Sequence, residues 1–296
     1  MRGVPRVVKL QKADELFSRF LKEKQLLNGA SPATIRIYSK SWSAFKTHGK
    51  ADFSESGGKA FMIELVSSGL KPGSANAYAR SVNSFLTWLF ENEHTTTHLK
   101  IPLTSVKERV LQTYKPEDIH KIITYKPSSH TRKRLIAILF LLIDSGCRIN
   151  EALTLKRKDI DWDNLLVTLQ GKGNKQRRVP ISLECRKALF RWLQTHNYDL
   201  VFCTQEGNKL RYDNLRRDFL SLLDAVGVEK TEGSFHAFRR FFGKTYIRNG
   251  GNPIYLKKVF GHASLTTTQK YVEGDEEDLQ LAHKALSPLE MLKRKK

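Results

Sequence analysis

LLVTLQGKGNKQRRVPI, residues 165–181, is the clearest β signal in a chain of 296 residues whose other periodic stretches read as helix. Leu165–Leu169 alternates as a half-buried strand does, Gly171-Lys172-Gly173-Asn174 supplies the turn, and Arg178–Ile181 returns as an antiparallel partner. On the N-terminal side, the apolar run Leu135–Ile143 lies between Arg134 and Asp144. It is too short to span a bilayer and predicts a buried helix over Lys133–Ile143 that ends at Gly146. Pro116-Glu117-Asp118 opens an earlier helix with the acidic first turn that the helix dipole favours, and Ile149–Leu155 forms another short one. On the C-terminal side, helical spacing runs over Leu183–Thr195, Tyr212–Val226, Phe235–Arg248, Pro253–Phe260 and Ser264–Val272. Asp199–Phe202 is a candidate third strand. This half is expected to be a mixed, mainly-α domain, residues 112–296, with a small antiparallel β-sheet and a tail.

The first half differs. From Lys9 to Glu93 no strand signal competes with helix. Leu16, Phe17, Phe20 and Leu21 repeat at helical spacing, and Asn28-Gly29 ends that helix. Ser31-Pro32 opens the second, with proline at its favoured first-turn place, and Thr34, Tyr38, Trp42 and Phe45 lie along its stripe. Ser54–Ser68 and Pro72–Asn92 complete an all-α domain over residues 9–94. The stretch 95–111 lacks periodicity, carries Thr95-Thr96-Thr97 and Pro102, and reads as a linker.

The formal net charge is +21. Up to Val110 there are 17 Lys/Arg against 9 Asp/Glu, and after it 34 against 21, so the excess belongs to both halves and not to one tail. A polyanion is the natural partner, because Lys and Arg displace the counterions condensed on nucleic acid. The cysteines, Cys147, Cys185 and Cys203, are odd in number and show no CxxC spacing, which argues against a disulfide framework or a zinc site and fits a reducing cytosol. The first residues, MRGVPRVVKL, lack the apolar stretch of a signal peptide. No membrane partner is expected.

Four segments carry candidate chemistry, and each has a plainer reading beside it. In DSGCRINEALTLK (144–156), Gly146 permits a sharp reversal and Arg148 stands at the corner, either as one side of a phosphate clamp or as an ion-pair partner of Glu151. Lys172 sits between two glycines at the hairpin tip, either reaching into a groove as a proton donor or solvated as an ordinary turn lysine. In GSFHAFRRFFGKTY (233–246), His236 and Arg239 are three apart and share a helix face suited to an oxyanion, though such pairs also arise at core edges. In PIYLKKVFGHASLTTTQKYV (253–272), Gly261-His262 punctuates two helices and Tyr271 follows. A tyrosine hydroxyl is a poor nucleophile until nearby cations stabilise its anion, and a lone tyrosine there otherwise packs.

The order Arg148, hairpin Lys172, His236-x-x-Arg239, Gly261-His262 and Tyr271 resembles the tyrosine recombinase (phage or lambda integrase) family, in its compact Xer-like form without an arm-binding domain. The resemblance implies that residues 9–94 are a SAM-like core-binding DNA-binding domain and 112–296 the catalytic domain. It implies that Arg148 and Arg239 grip the non-bridging oxygens of the scissile phosphate and that Lys172 is the general acid toward the leaving 5′ oxygen. His236 assists proton movement, His262 hydrogen-bonds the phosphate, Glu151 supports the site, and Tyr271 forms a 3′-phosphotyrosyl bond. Fixed cations of this kind lower the barrier to phosphoryl transfer, so neither metal nor nucleotide cofactor is expected. The implied partner is double-stranded DNA bearing core recombination sites, bound by a homotetramer assembled from a monomer or weak dimer in the nucleoid-associated cytoplasm. Arg36, Lys40, Lys46 and Arg80 are candidate DNA contacts of the first domain. Leu279, Ala282 and Leu286 offer an amphipathic C-terminal element that docks on its own domain or on a neighbour's. Departures are mild: Arg240 stands where the family often has histidine, Phe260 where it often has leucine, and Cys147 where leucine or methionine is common. A type IB topoisomerase-like relaxase and a catalytically silent DNA-binding protein of the same fold are the alternatives.

Overall fold

The computed structural model describes residues 10–50, 52–106, 112–171, 175–231 and 233–261, together with the single positions 264, 280, 283, 287 and 289. The chain divides into two compact units, Met1–Arg109 and Val110–Lys296.

The first unit is built from α1 (Leu10–Leu26), α2 (Pro32–His48), α3 (Glu55–Ser67) and α4 (Pro72–Glu91). The Ser31 hydroxyl accepts the Thr34 amide at 3.2 Å with Pro32 in the first turn, and Ser54 accepts the Gly57 amide at 3.0 Å, so both helices start where their serines predict. The apolar stripes meet in an aromatic core. Phe85 on α4 places its ring edge-on to Phe17 and Trp42 at 5.1 and 5.2 Å, with Phe20, Phe45 and Phe61 fully buried around it. Two asparagines of α4 then hold part of the stretch that reads as a linker. Asn83 donates to the Ile101 carbonyl at 2.9 Å and accepts its amide at 2.7 Å, while Asn76 does the same for Thr104 at 2.8 and 2.9 Å. Ile101 is buried as a result. Side-chain amides replace a strand partner here, which leaves no hydrophobic period to read.

The second unit is organised about α6 (His130–Ser145), against which α5 (Pro116–Thr124), α8 (Leu183–Leu193), α9 (Tyr212–Ala225) and α10 (His236–Arg248) pack. Being enclosed on several sides, α6 buries Leu135 to Leu139, Leu141 and Leu142 in near succession. It stops at Gly146, whose φ of +60° suits glycine; a Cβ there would lie 2.6 Å from Phe260 and 2.7 Å from Phe242. The sheet has the order β1-β2-β3, all antiparallel, from Ile160–Asp161, Leu166–Gln170 and Gln176–Pro180. Val167 pairs with Val179 and Leu169 with Arg177.

Two expectations are corrected. The third strand is Ile160–Asp161, not Asp199–Phe202, which contributes only an isolated bridge between Lys156 and Leu200. Val201 and Phe202 are apolar because they are buried in the core, whereas a two-residue strand is too short to show a period. The short helix α7 covers Ile149–Ala152 and does not continue to Leu155; Leu153 and Leu155 are buried from turns. The expected helix Ser264–Val272 and the amphipathic element Asp278–Leu286 lie almost wholly outside the described residues. Among the described residues no helix is long and apolar enough to cross a membrane.

Candidate active site

The C-terminal end of α11 (Pro253–Phe260) is the anchor of the site. A helix leaves its last carbonyls without intrahelical donors and carries partial negative charge there. Three arginines from three other elements supply those donors. Arg177 on β3 donates from Nε to the Val259 carbonyl at 2.7 Å, and Arg239 on α10 donates from Nη2 to the Phe260 carbonyl at 2.8 Å. Arg148, at the N-cap of α7, reaches the same Phe260 carbonyl from Nη1 at 3.4 Å. Arg239 also donates from Nη1 to the Gly146 carbonyl at 2.7 Å and lies 3.9 Å over the Phe260 ring. The Gly146 reversal, the start of α10 and the end of α11 are thereby tied at one guanidinium.

Glu151 ties the other side. It accepts the Arg148 amide at 2.8 Å and Arg148 Nη1 at 3.0 Å, and its two oxygens take Arg177 Nη1 and Nη2 at 2.8 Å each. Burial raises the pKa of this carboxyl, but the bonds from Arg177 and Arg148 together outweigh it and hold Glu151 below the usual carboxylate range. The cluster is graded in exposure: side chains of Glu151 and Arg177 are 4% and 13% exposed, and that of Arg148 is 39% exposed. The sequence left Arg148 as either clamp or ion-pair partner; the ion pair with Glu151 is present, through Nη1 beside the backbone amide, and the rest of the side chain is partly exposed.

His236, the first residue of α10, is exposed at the mouth of this region. Partial desolvation of its ring lowers its pKa first, and the cations of Arg239, Arg240 and Arg148 lower it further. It borders a cleft of about 520 Å³ lined also by Arg216, Lys230 and Ser234, and the positive charges of the arginine and the lysine suit an anion. The Cys147 thiol beside Arg148 is fully buried, which pushes its pKa up to about 11 and keeps it protonated near neutrality.

Of the residues singled out in the sequence, Arg148, Glu151, His236 and Arg239 are brought to one place, while Lys172, His262 and Tyr271 lie outside the described residues. Arg36, Lys40 and Arg80 are exposed on α2 and α4 of the first unit. Lys46 is engaged instead, 2.9 Å from Asp14 and 5.8 Å over Trp42. Arg177 was missed. Its signal was available, since residues two apart in a strand share a face and Val179 points into the core.

The chain matches the phage integrase family over residues 112–278. It is 27% identical over 272 residues to the tyrosine recombinase XerA of Thermococcus onnurineus, covering 90% of this chain and 93% of the relative. To the tyrosine recombinase XerC of Shewanella amazonensis it is 24% identical over 293 residues, covering 93% and 95%. The fold is similar to that of the Tn1549 transposon integrase solved with transposon right end DNA, with a TM-score of 0.75 at 16% identity over 93% of this chain and 99% of that one. The family match covers more than half of the chain, which therefore belongs to the phage integrase family and is a tyrosine-type site-specific recombinase.

Proposed function

We propose that Arg148, His236 and Arg239 hold a scissile phosphate of duplex DNA while Tyr271 attacks it. The phenolic oxygen bonds to phosphorus, its proton passing to His236, and the 5′ oxygen leaves with a proton from Lys172. His262 hydrogen-bonds the phosphate and Glu151 supports Arg148. Attack by a 5′ hydroxyl on the phosphotyrosyl ester reverses the step on a new partner, so the energy of the broken bond is retained. The observation that carries this reading is the half-open Arg148, fixed by a buried carboxylate and sharing a helix end with the buried Arg239. Cations preset in this way stabilise charge gathering on the equatorial oxygens without rearranging during the reaction.

The first unit, residues 9–94 with the 95–111 segment behind it, presents exposed Arg36, Lys40 and Arg80 to phosphates of the core site, and residues 112–296 carry out catalysis. A homotetramer assembles on paired sites in the cytoplasm, at the nucleoid. Incubation with a nicked suicide duplex tests the chemistry. The wild type is expected to give a covalent protein–DNA adduct and Tyr271→Phe none; an undiminished adduct with Tyr271→Phe overturns the assignment.

A further inference from the structure

Arg177 lies outside the set that the family resemblance names, and at 13% side-chain exposure it is poorly placed to touch DNA itself. Its donors face inward, two on Glu151 and one on the Val259 carbonyl. Glu151 carries one negative charge and has two arginine neighbours. A carboxylate and a guanidinium prefer a two-pronged fork, which would cancel the charge of Arg148 and turn its donors away from a phosphate if Arg148 were the sole partner. Arg177 takes the fork instead. The Arg148 guanidinium is left with a single bond to the carboxylate, from Nη1, beside that of its backbone amide, and with an open flank.

The same side chain also stitches β3 to the end of α11. Gly261 follows directly, with its φ of +62° and with the Arg177 Cδ 3.0 Å from where a Cβ would stand. Loss of Arg177 would therefore free both Glu151 and the carbonyl end on which Arg148 and Arg239 converge. A lysine cannot reproduce a planar fork plus a third donor.

We propose that Arg177 is a positioning residue for strand cleavage: by occupying the Glu151 carboxylate, it leaves Arg148 charged and aimed at the scissile phosphate. This rests on the phosphate-gripping role given to Arg148 above.

The test is single-turnover cleavage of a nicked duplex whose site the wild-type protein has itself selected from a random-sequence pool. One duplex carries an ordinary scissile phosphodiester. The other carries a methylphosphonate there, which has no negative charge and demands less from Arg148. Arg177→Lys is expected to cleave the phosphodiester roughly 100-fold more slowly, the scale of an ångström-level misplacement, with near wild-type melting and duplex affinity. On the methylphosphonate the defect is expected to shrink to less than about 5-fold, because charge neutralisation is no longer the missing element. Equal slowing on both duplexes overturns the proposal. Should Arg177→Lys fail to fold, Arg177→Met in a Glu151→Gln background serves instead. With Glu151 neutral, the Arg177 change is expected to cost less than about 5-fold relative to Glu151→Gln alone, and a further loss of roughly 100-fold overturns it. A wild type that cleaves neither duplex removes the underlying reading of the site, whereas wild-type cleavage with uniform slowing removes only the role of Arg177.

Discussion

The two units treat charge in opposite ways. Among the described residues the first unit buries no charged side chain, and its core is a cluster of aromatic rings around Phe85. The second buries Arg134, Glu151 and Arg239. A buried charge is tolerated only when its partners are in place, so the second unit must hold its cluster in one geometry. Arg239 meets that demand with the Gly146 and Phe260 carbonyls, and Glu151 with two guanidiniums. The first unit leaves exposed cations on its surface, suited to the diffuse field of a polyanion; the second fixes cations at a point, suited to one phosphorus. The same residue type is solvated in one place and locked into a hydrogen-bond network in the other because the surroundings differ.

The largest expected effect tests whether stability and chemistry separate along that line. Phe85→Ala removes the centre of the aromatic cluster and is expected to cost about 3–5 kcal/mol in a denaturant melt. At saturating duplex, the cleavage rate of the folded fraction should stay near wild type; a rate that collapses with stability would break the comparison.

Gly146→Ala is expected to cost about 2 kcal/mol or more, because an alanine at φ +60° is strained and its Cβ would press on Phe242 and Phe260. Since Arg148 follows two residues later and Arg239 holds the Gly146 carbonyl, cleavage should fall along with stability, unlike Phe85→Ala. Thermal melts and suicide-duplex kinetics on both variants decide it.

On the first unit, Lys40→Ala should lower the slope of log affinity against log salt by about 1 and leave the cleavage rate at saturation unchanged. An unaltered slope would show that this exposed lysine meets no phosphate.

The smallest effect is on His236. Its lowered pKa means that the folded state binds fewer protons there than the unfolded chain, whose histidines titrate near 6.5. The stability it contributes is present above that pH and lost as pH falls through the folded value. A histidine NMR titration should place His236 below an ordinary histidine; a value above it would contradict the partial desolvation and the cationic surroundings described here.

Much of this architecture was legible in the residues. Ser31, Ser54 and Gly146 marked helix ends through local hydrogen bonds and a left-handed turn, and the Leu165–Ile181 alternation marked the hairpin, all short-range effects. The strand Ile160–Asp161 was too brief to show a period, and the Asn76 and Asn83 bonds to Thr104 and Ile101 link residues 28 and 18 apart, beyond any local pattern. Of the site, the pairing of Arg148 with Glu151 three residues on was readable as a local contact, but the second guanidinium on that carboxylate, from Arg177, was not.

Residue order alone specified which side chains were available, the local helices and hairpin that carry them, and the positive charge of both halves. Packing of distant segments made Glu151 a shared carboxylate, with Arg177 from 26 residues away bonding both of its oxygens, and brought three arginines to the end of α11. The physical reason is that a helix or turn follows from contacts a few residues apart. An ion pair between distant segments depends on where the packed core sets each backbone, and among 51 cationic and 30 acidic side chains the sequence alone does not choose the partners.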